Sequence, residues 1–140
     1  MEKLRGIIPP MITPLKGNNE LDCEGAIRLV EHMLKGGVHA LFILGTTGEA
    51  QSLTYELRYA FVELVLKQVN GRVPVLVGVT DTSLDESVRL AEHAKQCGAV
   101  GVVAAAPYYF AASQQELIEY YTALADALCL PLYLYNMPSH

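Results

Sequence analysis

The stretch Val100-Gly101-Val102-Val103-Ala104-Ala105 has no polar side chain and no alternation of apolar with polar residues. A strand with one wet face alternates. A strand buried on both faces does not, and such strands belong to parallel sheets covered by helices. Five short apolar segments of this kind punctuate the chain, at 6–12, 39–44, 73–79, 99–105 and 130–135.

Between them lie longer segments with helical spacing. Asp22 is placed to cap a helix whose apolar positions Ala26, Ile27, Val30, Met33 and Leu34 recur at three and four, and Gly36-Gly37 ends it. A second helix over 54–69 carries Leu57, Phe61, Leu64 and Gln68 on one face and closes at Asn70-Gly71. Ser83-Leu84-Asp85-Glu86 and Ser113-Gln114-Gln115-Glu116 read as capping boxes. They open helices that turn Leu84, Val88, Ala91 and Ala94, then Leu117, Tyr121, Leu124 and Leu128, inward. The predicted order is βαβαβαβαβ, an α/β chain with no linker or low-complexity tract.

Two closures fit this order. An open doubly wound sheet of flavodoxin type is complete in such a length. A (β/α)8 barrel takes about 250 residues, against 140 here, enough for one domain with a sizeable core. The hydrophobic pattern does not choose between them.

Composition narrows the function classes. At 51% hydrophobic and 18% charged, the chain is globular rather than disordered. Residues 1–10 lack the apolar core of a secretory signal, and the longest apolar stretch, 98–107, is too short to cross a bilayer, so no membrane role is expected. Cys23, Cys97 and Cys129 form no CxxC pair, which points to a reducing cytoplasm rather than a disulfide framework or a zinc site. His32, His39 and His93 fall on separate elements without metal-ligand spacing, and no metal is expected. A net charge of −5 without a Lys/Arg run argues against nucleic acid, while a local site can still take an anionic substrate.

In both closures ligands bind at the carboxyl ends of the strands. The residues there are Gly45-Thr46-Thr47-Gly48-Glu49, Thr80-Asp81-Thr82, Pro107-Tyr108-Tyr109 and Tyr135-Asn136-Met137-Pro138-Ser139-His140. The first turn lets backbone N–H groups approach an anion and adds two hydroxyls, so it reads either as a carboxylate cradle or as a plain strand-to-helix connection. It is neither a Walker A loop nor GxGxxG. Glu49 is read as non-catalytic. A strand-end phenol, Tyr109 or Tyr135, either relays protons when a neighbouring hydroxyl aligns it or simply lines the rim. Tyr133 shares the parity of Tyr135, so periodicity does not separate them.

Taken together and in order, Gly45-Thr46-Thr47-Gly48-Glu49, Pro107-Tyr108-Tyr109 and Tyr135-Asn136-x-Pro138 resemble the dihydrodipicolinate synthase/N-acetylneuraminate lyase family of Schiff-base (class I) aldolases, and the likeness runs over the whole chain from the opening residues 8–14. The resemblance implies a TIM barrel, of which residues 1–140 would be the N-terminal portion, about five strands and four helices, cut off before strand six. It implies that Thr46 and Thr47 hold the carboxylate of pyruvate or a related 2-oxo acid. Tyr135 would move protons during Schiff-base formation and carbon–carbon bond making or breaking. Thr46 would link Tyr135 to Tyr109, which in many members reaches in from a neighbouring subunit. The family's lysine, on strand six, forms an imine that stabilises an adjacent carbanion as an enamine. None of Lys3, Lys16, Lys35, Lys67 and Lys95 ends a strand, so these 140 residues alone are expected to be inactive. No cofactor is implied. The expected partners are a 2-oxo acid, an aldehyde or sugar acid, and further copies of the chain in a dimer or tetramer.

Two departures bear on substrate. His140 stands where synthases proper commonly carry an arginine for the aldehyde's carboxylate. Tyr55, Arg58 and Thr82 stand where His, His and Asn often bind feedback lysine. A sugar-acid aldolase, a lyase or a dehydratase is therefore as well matched as a synthase. The rival from another class is a non-catalytic half-barrel or flavodoxin-like binding module.

Overall fold

The computed structural model describes residues 4–17 and 19–137. Four strands, β1 Leu41–Ile43, β2 Val75–Gly78, β3 Gly101–Ala104 and β4 Leu132–Leu134, alternate with four helices, α1 Cys23–Lys35, α2 Tyr55–Val69, α3 Leu84–Cys97 and α4 Gln114–Ala127. All pairings are parallel and the spatial order is the chain order, β1-β2-β3-β4. A flavodoxin-type sheet reverses direction at a switch point. This sheet does not, so among the described residues the architecture is that of a barrel wall rather than an open doubly wound sheet.

The segment 6–12 lies where a first barrel strand belongs, but it is not a regular strand. Pro10 bridges Phe42 in parallel, Met11 N–H donates to the Phe42 carbonyl at 2.8 Å and Phe42 N–H to the Pro9 carbonyl at 3.2 Å. Pro9 and Pro10 have no N–H to extend the ladder.

Both faces of β2 and β3 are buried, as their unalternating runs require, while β4 is half-buried to exposed. Leu41, Ile43, Val75, Val77, Val102 and Ala104 face the helices and are almost wholly inaccessible, packed with Phe61, Val62, Val65, Ala91 and Ala94. Each fully buried Val, Leu, Ile or Phe contributes about 1.5–3 kcal/mol. The opposite face carries Phe42, Leu76, Gly101, Val103 and Tyr133. A Cβ on Gly101 would come within 2.8 Å of the Tyr133 ring and 3.0 Å of Leu76, so the missing side chain makes room for the tyrosine.

Local chemistry sets the helix ends. Asp22, Thr54, Ser83 and Ser113 each accept an N–H of the first turn. The Ser113–Glu116 box closes in both directions. The box expected at Ser83 is only half formed. Ser83 N–H donates to Asp81 at 3.0 Å, and Glu86 turns instead to Arg89 at 2.7 Å. The buried stripe of α2 is also rotated from the expected face. Leu64 and Gln68 are half-buried, and Arg58, Val62, Val65 and Val69 point inward. In α3, Ser87 and Leu90 are buried while Leu84 and Val88 are half-buried.

Candidate active site

Parallel strands joined by returning helices put every strand's carboxyl end, and every helix N-terminus, at one end of the molecule. Four turns meet there. Lys35, Lys67 and Lys95 lie in the last turns of α1, α2 and α3, at the far end, where a cation suits the helix dipole. Lys16 precedes α1, and Lys3 lies outside the described residues. Among the described residues no lysine ends a strand.

The turn after β1 is held in an unusual backbone. Leu44 and Glu49 have φ of 56° and 53°, a region costly for non-glycine residues and concentrated at functional sites. The Leu44 carbonyl sits so close over Gly78 that a Cβ there would overlap it. Thr13 Oγ1 donates to the Gly48 carbonyl at 2.8 Å and pins the turn from the other side. Thr46 and Thr47 lie between these anchors in a single 3-10 turn, both exposed.

The turn after β2 is tied inward. Thr80 Oγ1 accepts the Ala105 N–H at 2.8 Å, joining this turn to the one after β3. Asp81 is 2% exposed and receives Arg58 Nη1 at 2.8 Å, Ser83 N–H at 3.0 Å and the Tyr55 hydroxyl at 3.3 Å. Partial burial and the Asp81 carboxylate raise the Tyr55 phenol above its ordinary pKa.

The turn after β3 projects. Tyr109 has φ of 82°, is 87% exposed and packs edge-on against Phe110 at 4.8 Å. After β4, Tyr135 N–H continues the ladder to the Ala104 carbonyl at 2.9 Å. The parity that left Tyr133 and Tyr135 equivalent is resolved by depth. The Tyr133 ring lies low against Gly101, whereas Tyr135 lines the open mouth.

Thr46, Thr80, Tyr109, Tyr135, Gln51 and Asn136 line one depression of about 1390 Å³. That exceeds the roughly 300–1,000 Å³ of a small-molecule pocket, because the depression runs on past the mouth onto the apolar faces of β4 and α4. Leu134 and Ile118, 62% and 60% exposed, line that extension. Thr47 is not among the lining residues, and His140 lies outside the described residues. Thr46, Tyr109 and Tyr135 share the depression without a hydrogen bond between them. Among the described residues no three His, Cys, Asp or Glu side chains converge as a metal site, and no helix is long and apolar enough to cross a membrane. The mouth thus offers hydroxyls, phenols and backbone donors, a set that can seat a carboxylate and move protons.

Sequence reasoning missed the structural weight of Arg58 and Asp81, the two buried charged side chains among the described residues. The signal was present. Arg58, Val62, Val65 and Val69 follow the i, i+4, i+7, i+11 spacing of a buried helical stripe, which placed the arginine inside.

Comparison with known proteins places this geometry. A 4-hydroxy-tetrahydrodipicolinate synthase of Phenylobacterium zucineum is 42% identical over 135 residues, 96% of this chain and 46% of that protein. An Escherichia coli K12 protein, YagE, provisionally named a 2-dehydro-3-deoxy-D-gluconate aldolase, is 41% identical over 134 residues, 96% of this chain and 44% of its own length. Among solved structures, the dihydrodipicolinate synthase of Bacteroides thetaiotaomicron superposes with a TM-score of 0.93 at 57% identity, over 98% of this chain and 46% of that one. YagE in complex with pyruvate superposes with a TM-score of 0.90 at 41% identity, over 96% of this chain and 45% of that one. The chain therefore spans about half the length of the relatives it matches. With that family's sequence profile matching residues 3–140, the chain belongs to the dihydrodipicolinate synthetase family.

Proposed function

We propose that these 140 residues are the first half of a (β/α)8-barrel enzyme that makes or breaks a carbon–carbon bond next to a 2-oxo acid, pyruvate or a close analogue, through a lysine Schiff base. The lysine would lie on a strand outside this sequence. The observation that carries the reading is the gathering of Thr46, Tyr109 and Tyr135 on one depression at the carboxyl ends of parallel strands, in a fold shared with a relative solved with pyruvate. The Gly45–Glu49 turn and its threonines seat the carboxylate. The lysine amine attacks the keto carbon and water leaves, so that the imine draws electron density from the neighbouring carbon and yields an enamine. Tyr135 donates and accepts the protons of these steps, with Thr46 and Tyr109 extending its relay.

Near-equal identity to a synthase and to a protein named as a sugar-acid aldolase leaves the second substrate as an aldehyde or sugar acid. The enzyme would work in the cytoplasm as a homo-oligomer. The test uses the full-length protein. Incubation with pyruvate and borohydride should add one reduced pyruvyl group per chain, located by peptide mass on a lysine outside this sequence. An unmodified protein would overturn the reading in favour of a non-catalytic barrel.

A further inference from the structure

Arg58 and Asp81 form an ion pair at 2.8 Å with side chains 6% and 3% exposed. Arg58 Nε is buried with no hydrogen-bond partner, and the guanidinium lies over the Tyr55 ring at 4.8 Å. Such a pair is a poor way to gain stability. Desolvating two charges offsets most of their attraction, and an apolar pair of similar volume often does as well or better. An orphaned buried N–H adds a further cost.

The position of the pair gives it another use. Arg58 sits in the first turns of α2, directly after the segment that carries Thr46 and Thr47. Asp81 is covalently next to Thr80, whose hydroxyl accepts the Ala105 N–H at the root of the Tyr109 turn. Asp81 also takes the Ser83 N–H, which starts α3. The buried pair therefore fixes the start of α2, which follows the turn after β1, against the turn after β2, and the Thr80–Ala105 bond passes that hold on to the turn after β3. Resting on the Schiff-base reading above, we infer that Arg58 and Asp81 are positioning residues, which hold the carboxylate cradle and the Tyr109 turn in register without touching substrate.

The experiment uses the full-length protein and three variants: Asp81→Asn, Arg58→Met with Asp81→Leu, and Arg58→Lys. Three quantities are read for each: the thermal midpoint, kcat/KM for borohydride-trapped pyruvate adduct, and hydrogen exchange at the Ala105 and Ser83 amides. Asp81→Asn, which strands a buried charge, should lower both midpoint and capture. The double variant strands none, so its midpoint should return close to wild type. Its capture should stay down by about 10²-fold, the scale of an ångström-sized misplacement, and both amides should exchange faster. Arg58→Lys keeps the charge but loses the fork, and it should show the same split more weakly. A double variant that regains both midpoint and capture would show the pair to be structural only. If it does not fold, wild-type capture and exchange in Arg58→Lys overturn the inference. Absence of adduct in the wild-type protein would instead sink the Schiff-base reading, and amide exchange would then decide the positioning role by itself.

Discussion

The two ends of the strands are built from the same kinds of turn and treat them differently. At the far end the helices stop on residues that suit a stop. Gly98 and Asn70 take the left-handed conformation, their N–H groups are bonded back into the helix, and Lys35, Lys67 and Lys95 complement the dipoles. At the mouth the non-glycine residues with positive φ are Asn19, Leu44, Glu49 and Tyr109, and of these Glu49 alone closes a helix, the single 3-10 turn of Thr46–Gly48. Thr46 and Thr47 there are exposed, while the charged pair Arg58 and Asp81 is buried. One end is arranged for stability. The other holds strain and desolvated charge, as expected where a barrel of this class carries its chemistry.

The difference is broken most directly at Tyr135. In the full-length protein, the proposed proton-transfer role predicts that Tyr135→Phe lowers kcat by about 10²–10⁴-fold with little change in KM. Steady-state kinetics check it. A variant with normal kcat would make Tyr135 a rim residue and erase the contrast.

The same small substitution at each end sharpens the comparison. Gly78→Ala forces a methyl into the Leu44 carbonyl. It should cost about 1–3 kcal/mol or more by overpacking and also impair pyruvate capture, because the backbone it displaces leads into Thr46. Gly98→Ala meets open space but must hold φ of +101°, costing about 1–2 kcal/mol with capture unchanged. Denaturant unfolding and adduct trapping on both variants separate the effects. Equal loss of capture would mean that the mouth is no more sensitive than the far end.

Much of this arrangement was legible in the residues. Unalternating runs announced the parallel sheet, and Asp22 and Ser113 announced their helices. Closure was not legible, because strand order depends on contacts between segments far apart in sequence, and only the family motifs pointed to the barrel. The first strand was overread because apolar character outweighed the donors that Pro9 and Pro10 lack. The Ser83 box was overread because Asp81, two residues earlier, competes for the same N–H. At the site, motif order brought forward Thr46, Tyr109 and Tyr135. The burial of Arg58 is written in the 58, 62, 65, 69 spacing, but an arginine in an apolar stripe makes sense only with its partner Asp81, which lies 23 residues further along the chain.

Thr47 provides a smaller probe of the mouth. Although it does not line the depression, its hydroxyl belongs to the turn assigned to the carboxylate. Thr47→Val should weaken binding of a 2-oxo acid by about 0.5–1.5 kcal/mol, the scale of one net hydrogen bond, with kcat less affected than KM. Calorimetric titration with a non-reacting 2-oxo-acid analogue checks it, and unchanged affinity would confine the cradle to Thr46 and the backbone.

The smallest effect belongs to the far end. Glu31 on α1 accepts from Arg72, with Nη1 at 2.9 Å, and from Gln68 on α2 at 2.6 Å. The Arg72 bond first, and the Gln68 bond second, lower its carboxyl from 4.5 to about 2. A carboxyl with a depressed folded pKa stabilises the fold above its unfolded value. That contribution is fully present at neutral pH, begins to fade as pH falls below about 4.5 and is gone once the folded group itself is protonated near 2. The group is open to solvent, so salt and water screen the gain to a minor one. Glu31→Gln should therefore flatten the stability curve between these two pH values, with the difference from the parent protein shrinking in high salt. Pyruvate capture should not change at all, because the contact joins α1 to the end of α2 farthest from Thr46. Denaturation midpoints measured across that pH window, at low and high salt, test the first part. A Glu31→Gln protein that captured pyruvate more slowly at unchanged stability would mean that the far end reaches the mouth, and the division of labour between the two ends would fail.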